Sequence, residues 1–246
     1  MKIGFLSDIH ANLEALEVAI AILHSKNVDK IYCIGDIVGY GANPSRCINI
    51  MENECDGIVA GNHDWAAIGK TDITYFNMYG RKAILWTAKK LSPYQKSFLA
   101  ELPLYLANRN WCIVHSTPIE PAKWHYVFTE AQALYQFNHF DEKICFIGHS
   151  HSPMIFTDRG NYEKIFVPLD SKTKLIKLAD DTRYIINIGS VGQPRDGDPR
   201  GSLVIFNSDE NTVEFIRFDY QISETQRKIL DAGLPPFLAE RLARGI

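Results

Sequence analysis

Short apolar runs punctuate the chain up to Ile147: Ile3-Gly4-Phe5-Leu6, Ile31-Tyr32-Cys33-Ile34, Gly57-Ile58-Val59-Ala60, Trp111-Cys112-Ile113-Val114 and Ile144-Cys145-Phe146-Ile147. Runs of this length without polar alternation predict strands buried on both faces. Between the first two, Leu13, Leu16, Ala19, Ile20 and Leu23 recur at helical spacing, and Pro44 to Met51 reads as a second helix with Asn43 as its cap. Strand, helix, strand, helix, strand predicts a parallel α/β beginning. Helical spacing returns from Thr74 to Leu102, where Ser92-Pro93 opens a second helix, whereas Thr117 to Phe140 carries no clear period. After Gly148, alternating stretches near 153–157, 163–168, 173–178, 183–188, 203–207 and 212–218 predict strands of a second, largely antiparallel sheet packed on the first. Two amphipathic segments, near 222–231 and 236–244, follow on either side of Gly233-Leu234-Pro235-Pro236. The expectation is one α/β domain over 1–246, with a helical and irregular insertion near 66–140 bordering whatever site the fold carries.

Composition narrows the class. With 246 residues, 46% apolar and 22% charged, the chain fits a globular enzyme rather than a disordered or membrane protein. The net charge of −3 and scattered Lys and Arg leave no electrostatic footprint for stable nucleic-acid binding. The apolar stretch between Lys2 and Ser7 is too short for a signal peptide and no run long enough to span a membrane occurs, so a cytoplasmic protein without membrane attachment is expected. The five cysteines, Cys33, Cys47, Cys55, Cys112 and Cys145, contain no C-x-x-C pair, which argues against disulfides and thiolate zinc sites. Cys33, Cys112 and Cys145 fall inside apolar runs and are expected to pack as small hydrophobes.

The candidate chemistry sits where the early strands end: Ser7-Asp8-Ile9-His10, Gly35-Asp36, Gly61-Asn62-His63-Asp64, His115 and Gly148-His149-Ser150-His151. Taken singly, Asp8-x-His10 and Gly35-Asp36 fit an ordinary cap or turn, whereas Gly61-Asn62-His63-Asp64 fits one less well and two histidines between Gly148 and Pro153 are uncommon in one. Together they place carboxylates and imidazoles at the carboxyl ends of strands, where side chains distant in sequence converge on one crevice. Oxygen and imidazole donors without thiolates suit manganese, iron, zinc or nickel, and the set is large enough for two divalent ions. Such a pair clamps a phosphoryl group and lowers the pKa of a shared water, so that hydroxide is available at neutral pH for in-line attack. His24 closes a predicted helix and reads as structural; His125 and His139 stay undecided.

The ordered motifs D-x-H, G-D, G-N-H-D, H and G-H-x-H over residues 8–151 resemble those of the calcineurin-like metallophosphoesterase superfamily. The words Ser7-Asp8-Ile9-His10-Ala11-Asn12, Gly35-Asp36-Ile37-Val38-Gly39-Tyr40-Gly41 and Asn187-Ile188-Gly189-Ser190-Val191-Gly192-Gln193-Pro194-Arg195 look like its small bacterial and archaeal phosphodiesterase branch. The resemblance implies a four-layer α/β/β/α sandwich of two mixed sheets flanked by helices. It also implies one metal held by Asp8, His10 and His151, a second held by Asn62, His115 and His149, and a bridging Asp36. His63 corresponds to the residue that protonates the leaving oxygen or stabilises the transition state, with Asp64 orienting its ring. Ala11, Ser116 and Ser150 depart from the usual glycine, glycine and threonine; none removes a ligand, but Ser116 bears on the loop beside His115 and on substrate access. The arginine that follows the second motif in protein phosphatases is absent, which argues against that activity.

The expected function is two-metal hydrolysis of a small phosphodiester or nucleotide by metal-bound hydroxide. The alternatives are a dinucleoside polyphosphate hydrolase of the diadenosine tetraphosphate type and a non-catalytic binding scaffold. Two substrate contacts are expected outside the motifs. Arg195, in the turn Gln193 to Asp198, suits a substrate phosphate. Trp124, in a segment without a burying period, is expected as an exposed ring for a nucleobase.

Overall fold

The computed structural model describes residues 1–159, 162–166 and 173–246, the stretch 162–166 by its backbone alone. Its first part runs β1 (Lys2–Leu6), α1 (Leu13–Ser25), β2 (Lys30–Cys33), α2 (Pro44–Glu54), β3 (Gly57–Ile58), α3 (Asn62–Ala67), α4 (Met78–Lys90) and α5 (Pro93–Glu101). There follow β4 (Tyr105–Ala107), β5 (Trp111–Val114), α6 (Glu130–Gln136), β6 (Ile144–Ile147), β7 (Met154–Asp158), β8 (Tyr162–Phe166), β9 (Thr173–Lys177), β10 (Arg183–Asn187), β11 (Gly201–Asn207), β12 (Thr212–Phe218), α7 (Ile222–Asp231) and α8 (Pro236–Glu240). The strands form two six-stranded mixed sheets, ordered β3-β2-β1-β11-β12-β9 and β4-β5-β6-β10-β7-β8.

The apolar runs are continuous because both faces of their strands are covered. Along β1, Ile3 and Phe5 point between the sheets, where they meet Trp111, Ile113, Ile144 and Phe146 of the second sheet. Leu6 faces the other way, into the layer formed by Leu16, Ile20 and Leu23 of α1 and Ile48 and Met51 of α2. In β5 and β6 the residues between the inward ones, Cys112, Val114, Cys145 and Ile147, pack outward against Ala133 of α6, Phe137 and Phe140. Helix, sheet, sheet, helix is therefore the layer order, as expected. Cys33, Cys112 and Cys145 are free and buried within these layers.

Helix starts follow their local chemistry. Asn12 caps α1 by accepting from the Ala15 N–H at 3.2 Å, and Ser92 and Gln95 form a reciprocal box at the start of α5. Asn43 occupies the cap position of α2 but makes no side-chain capping bond. Among the described residues no helix is long and apolar enough to cross a membrane.

The expected division into an early parallel sheet and a late antiparallel one does not hold. β1, β2 and β3 are mutually parallel, but the free edge of β1 is taken by the late strand β11, antiparallel, and β12 and β9 extend that same sheet. The early strands β5 and β6 belong to the other sheet, where β6 pairs in parallel with β10. Alternation reports which faces a strand buries, not which edge it joins, and β1, buried on both faces, needs a partner on each edge. The span near 66–140 is likewise tied to the core, since it contributes β4 and β5 to the second sheet and Leu99 of α5 to the layer beneath α1 and α2. Of the strand expected over 163–168, residues 167 and 168 lie outside the described residues.

Phe5 and Phe146 are both fully buried and stack across the two sheets with ring centroids 4.1 Å apart. Phe146→Ala should therefore cost about 3–5 kcal/mol. The expected reading is a lowered urea midpoint at unchanged m value; a loss below about 1 kcal/mol would contradict this placement of the core.

Candidate metal centre

Three parallel strands of each sheet, β1, β2 and β3 in one and β5, β6 and β10 in the other, send their carboxyl ends to the same rim. The chain turns sharply there. Asp8, His10, Asp36, His149 and His151 all adopt positive φ, between 50° and 66°, a conformation that costs a non-glycine residue about 1–2 kcal/mol. Ala11, at φ 55°, stands in the same region, which explains why glycine is the commoner residue after the first histidine. The strained turns persist because their side chains and backbone are tied from several sides.

Each of the two central carboxylates has one oxygen tied and one left open. Asp8 Oδ2 accepts from Ser7 Oγ at 2.7 Å and from the His149 N–H at 3.0 Å, and Asp36 Oδ1 accepts from the His63 N–H at 2.8 Å. Among the described residues Asp8 Oδ1 and Asp36 Oδ2 are buried without a hydrogen-bond partner. Around them stand imidazole nitrogens at 3.2 Å (His151 Nε2) and 3.9 Å (His10 Nε2) from Asp8 Oδ1, and at 3.4 Å (His115 Nε2) and 3.6 Å (His10 Nε2) from Asp36 Oδ2. Asn62 Oδ1 lies 3.2 Å from His115 Nε2.

Four histidines share a second feature. One ring nitrogen of each meets a backbone carbonyl: His10 Nδ1 with Val38 at 3.2 Å, His115 Nδ1 with Ile34 at 2.7 Å, His151 Nδ1 with Gln193 at 2.6 Å, and His149 Nε2 with Trp124 at 2.9 Å. A carbonyl only accepts, so each of these nitrogens carries the proton and the opposite nitrogen of a neutral ring presents its lone pair to the cluster. That is how imidazoles are oriented for metal coordination. Asp8, His10 and His151, and separately Asp36, His115 and His149, bring donor atoms within 4.8 Å of one another. Donors bound about 2.0–2.2 Å from one ion stand roughly 3–3.5 Å apart, so the observed spacings and the open carboxylate oxygens fit divalent cations.

The electrostatics agree. Burial pushes Asp8 up to about 7 even though His115 beside it pulls the other way. Burial acts in the same sense on Asp36, but the surrounding His115, His63 and His10 outweigh it and hold the carboxyl well below the usual range. Burial also lowers His10, His149 and His151, which keeps those rings neutral. His115 is the exception: burial lowers it, but the negative charge of Asp36, 3.4 Å from its Nε2, raises it to about 9. Without a cation, the cluster retains protons that a bound ion would displace.

The remaining expected residues sort by contact. His63 lines the cleft and lacks the carbonyl partner of the other four, its Nδ1 being buried without a hydrogen bond; burial draws it down to about 4. Asp64 does not orient that ring. Its carboxylate accepts the N–H groups of Asp36 at 2.8 Å, Val38 at 3.1 Å and Gly61 at 3.0 Å, and among the described residues neither of its oxygens is hydrogen-bonded to His63. Arg195 lines the cleft, donates to Gln193 Oε1 at 2.9 Å and lies over the Tyr40 ring. Trp124 is not the exposed ring expected. Its indole packs edge-on against Trp65, its Nε1 donates to Thr71 Oγ1, and it is half-buried as a wall of the cleft. In the same segment Tyr126 is exposed, and it stacks on His149 at 4.0 Å. Ser116 donates to the Pro121 carbonyl and so fastens the loop that carries Trp124. His24 pairs with Glu54 on the surface, away from the site.

Sequence reasoning also passed over the residues that support the turns. Asn187 Nδ2 donates to the Gly148 carbonyl and to Ser150 Oγ, and Ser190 Oγ donates to the Asp8 carbonyl. Only the run Asn187 to Arg195, noticed for its resemblance, signalled them.

Fold and cluster together define a phosphoester hydrolase scaffold with a buried site for divalent metal. Residues 1–211 match the calcineurin-like phosphoesterase superfamily domain, and the chain belongs to that superfamily. It is 39% identical to the protein MJ0912 of Methanocaldococcus jannaschii, over 99% of this chain and 98% of that one. A metallophosphoesterase from Sphaerobacter thermophilus superposes with a TM-score of 0.89 at 38% identity, covering 100% of this chain and 99% of the other. PH1004 of Pyrococcus horikoshii OT3 shares the fold at a TM-score of 0.78 and 16% identity, with 100% and 98% coverage.

Asp64→Asn tests the backbone role of that carboxylate. An amide has one acceptor oxygen for three N–H donors, so the variant should lose about 1–3 kcal/mol, measured by chemical denaturation of the metal-free protein. Unchanged stability with a defect confined to turnover would restore the ring-orienting role.

Proposed function

We propose that this chain is a two-metal phosphoesterase acting on a compact phosphodiester or nucleotide. The observation that carries the reading is the set of four buried imidazoles, each with one nitrogen bonded to a backbone carbonyl and the other turned toward two unpaired carboxylate oxygens. In this reading Asp8, His10 and His151 would hold one ion, Asn62, His115 and His149 would hold the other, and Asp36 would serve both. Manganese, iron, zinc and nickel suit this nitrogen and oxygen donor set. Two such ions supply an activated water and charge stabilisation for the phosphoryl group.

The protein's own groups do the rest. Arg195 Nε is buried without a partner among the described residues, a donor left for a phosphate oxygen beside the Nη2 already held by Gln193. His63 reaches the same cleft and is neutral at pH 7, so its ring N–H can donate a hydrogen bond to the leaving oxygen; a phosphate brought alongside raises its proton affinity and so favours the imidazolium form, which can pass its added proton to that oxygen and return to the neutral ring. The cleft, about 410 Å³ and walled by Tyr40, Phe76, Trp124 and Tyr126, suits a small ester.

His63→Ala should retain the metal content of the wild type while losing roughly 10²–10⁴-fold in kcat on esters with poor leaving groups. Elemental analysis and steady-state kinetics on one preparation check this. Undiminished turnover on an alkyl-leaving-group diester would contradict the role, and loss of the metals would make His63 a ligand instead.

A further inference from the structure

A second cavity, of about 690 Å³, opens beside the metal cleft and shares one wall with it, the Tyr126 ring. Val127 is anchored in the core beneath the second sheet, and the neighbouring rings of Tyr126 and Phe128 are exposed and stacked, 5.2 Å apart at 14°. On its other side Tyr126 stacks on His149 at 4.0 Å and 15°. Three near-parallel rings therefore lead from the metal cluster into the second cavity. Its floor is α6, whose start is fastened by Thr129 and Gln132 in a reciprocal box.

The polar groups of this cavity are placed for a flat heterocycle. Gln132 uses its side-chain oxygen on the N–H groups of Phe128 and Thr129, and Gln136 uses its own on the N–H of Ile119. Their amide NH₂ groups have no partner among the described residues. Both are donors, as the acceptor-bearing edge of a nucleobase requires, and Tyr135 adds a third exposed aromatic ring to the wall. An alkyl chain would use the rings and waste the amides. A sugar would use the amides and little of the exposed aromatic surface of Tyr126 and Tyr135.

We infer that this cavity is a nucleobase subsite, which makes the preferred substrate a nucleotide ester with its phosphate at the metal cluster and its base beyond Tyr126. The inference rests on the phosphoesterase reading for the phosphate end only. The subsite also accounts for the cleft's division, because Tyr126 serves as a wall of both compartments.

The test is binding, independent of turnover. The metal-loaded full chain is titrated calorimetrically with the hydrolysis-resistant 5′-phosphonate of adenosine and with the matching ribose 5-phosphonate. The base should improve affinity by about tenfold or more, the scale of base stacking on an aromatic. Ala131→Trp, which fills the cavity from an exposed position on α6, should shrink the ratio to threefold or less. Photolabelling of the wild type with the 8-azido derivative of the adenosine phosphonate needs no variant and should mark the segment 119–136. Equal wild-type affinities, an unaltered ratio in Ala131→Trp, or labelling confined to Tyr75 and Phe76 would each overturn the subsite. Base-selective binding without hydrolysis of any phosphate ester would sustain the subsite and remove the phosphoesterase reading; hydrolysis without base selectivity would do the reverse.

Discussion

Among the described residues Asp8 Oδ1 and Asp36 Oδ2 are buried without a hydrogen bond, and an ionised carboxylate taken out of water without compensation costs several kcal/mol. Backbone and hydroxyl donors reach only the other oxygen of each carboxylate, and the proton-bearing nitrogens of His10, His149 and His151 turn away onto backbone carbonyls. His115, which Asp36 keeps protonated, is the ring that brings positive charge toward the pair. A site so arranged is complete only with positive charge at its centre. The left-handed turns at the strand ends, the hydroxyls of Ser7 and Ser190 and the amide of Asn187 all serve to hold that arrangement in place.

Two sheets rather than one are needed for this. Asp8, His10, Asp36 and Asn62 come from the ends of β1, β2 and β3, whereas His115, His149 and His151 come from β5 and β6. The contact of His115 Nδ1 with the Ile34 carbonyl and that of the His149 N–H with Asp8 cross from one sheet to the other. The apolar layer between the sheets, with Phe5 on Phe146, sets the separation at which these polar contacts form. Packing and site geometry are thus linked through the same strands.

Much of this was legible in the sequence, and for definite reasons. Strands buried on both faces leave uninterrupted apolar runs, and the residue just past each run marks the rim, so Asp8, Asp36, His115 and His149 could be placed together before any coordinates. Sheet membership could not be read, because edge pairing of β11 with β1 leaves no local trace. Asp64 was misassigned because adjacency to His63 in sequence says nothing of where a helix-start side chain turns; its oxygens meet backbone N–H groups instead. Trp124 does line the cleft, but its exposure was misjudged for a similar reason. A left-handed residue after a tight turn directs its carbonyl to His149 and its indole to Trp65 and Thr71, and an exposed ring falls two residues later, at Tyr126.

In the proposed two-metal site the open oxygen of Asp36 would be shared by two cations. Anomalous diffraction from crystals of the manganese-loaded protein tests it directly. The account predicts two anomalous peaks per chain, about 3.5–4 Å apart, one beside Asp8, His10 and His151 and the other beside Asn62, His115 and His149, with Asp36 Oδ2 between them. A single peak at full loading, or a pair lying away from Asp36, would contradict it.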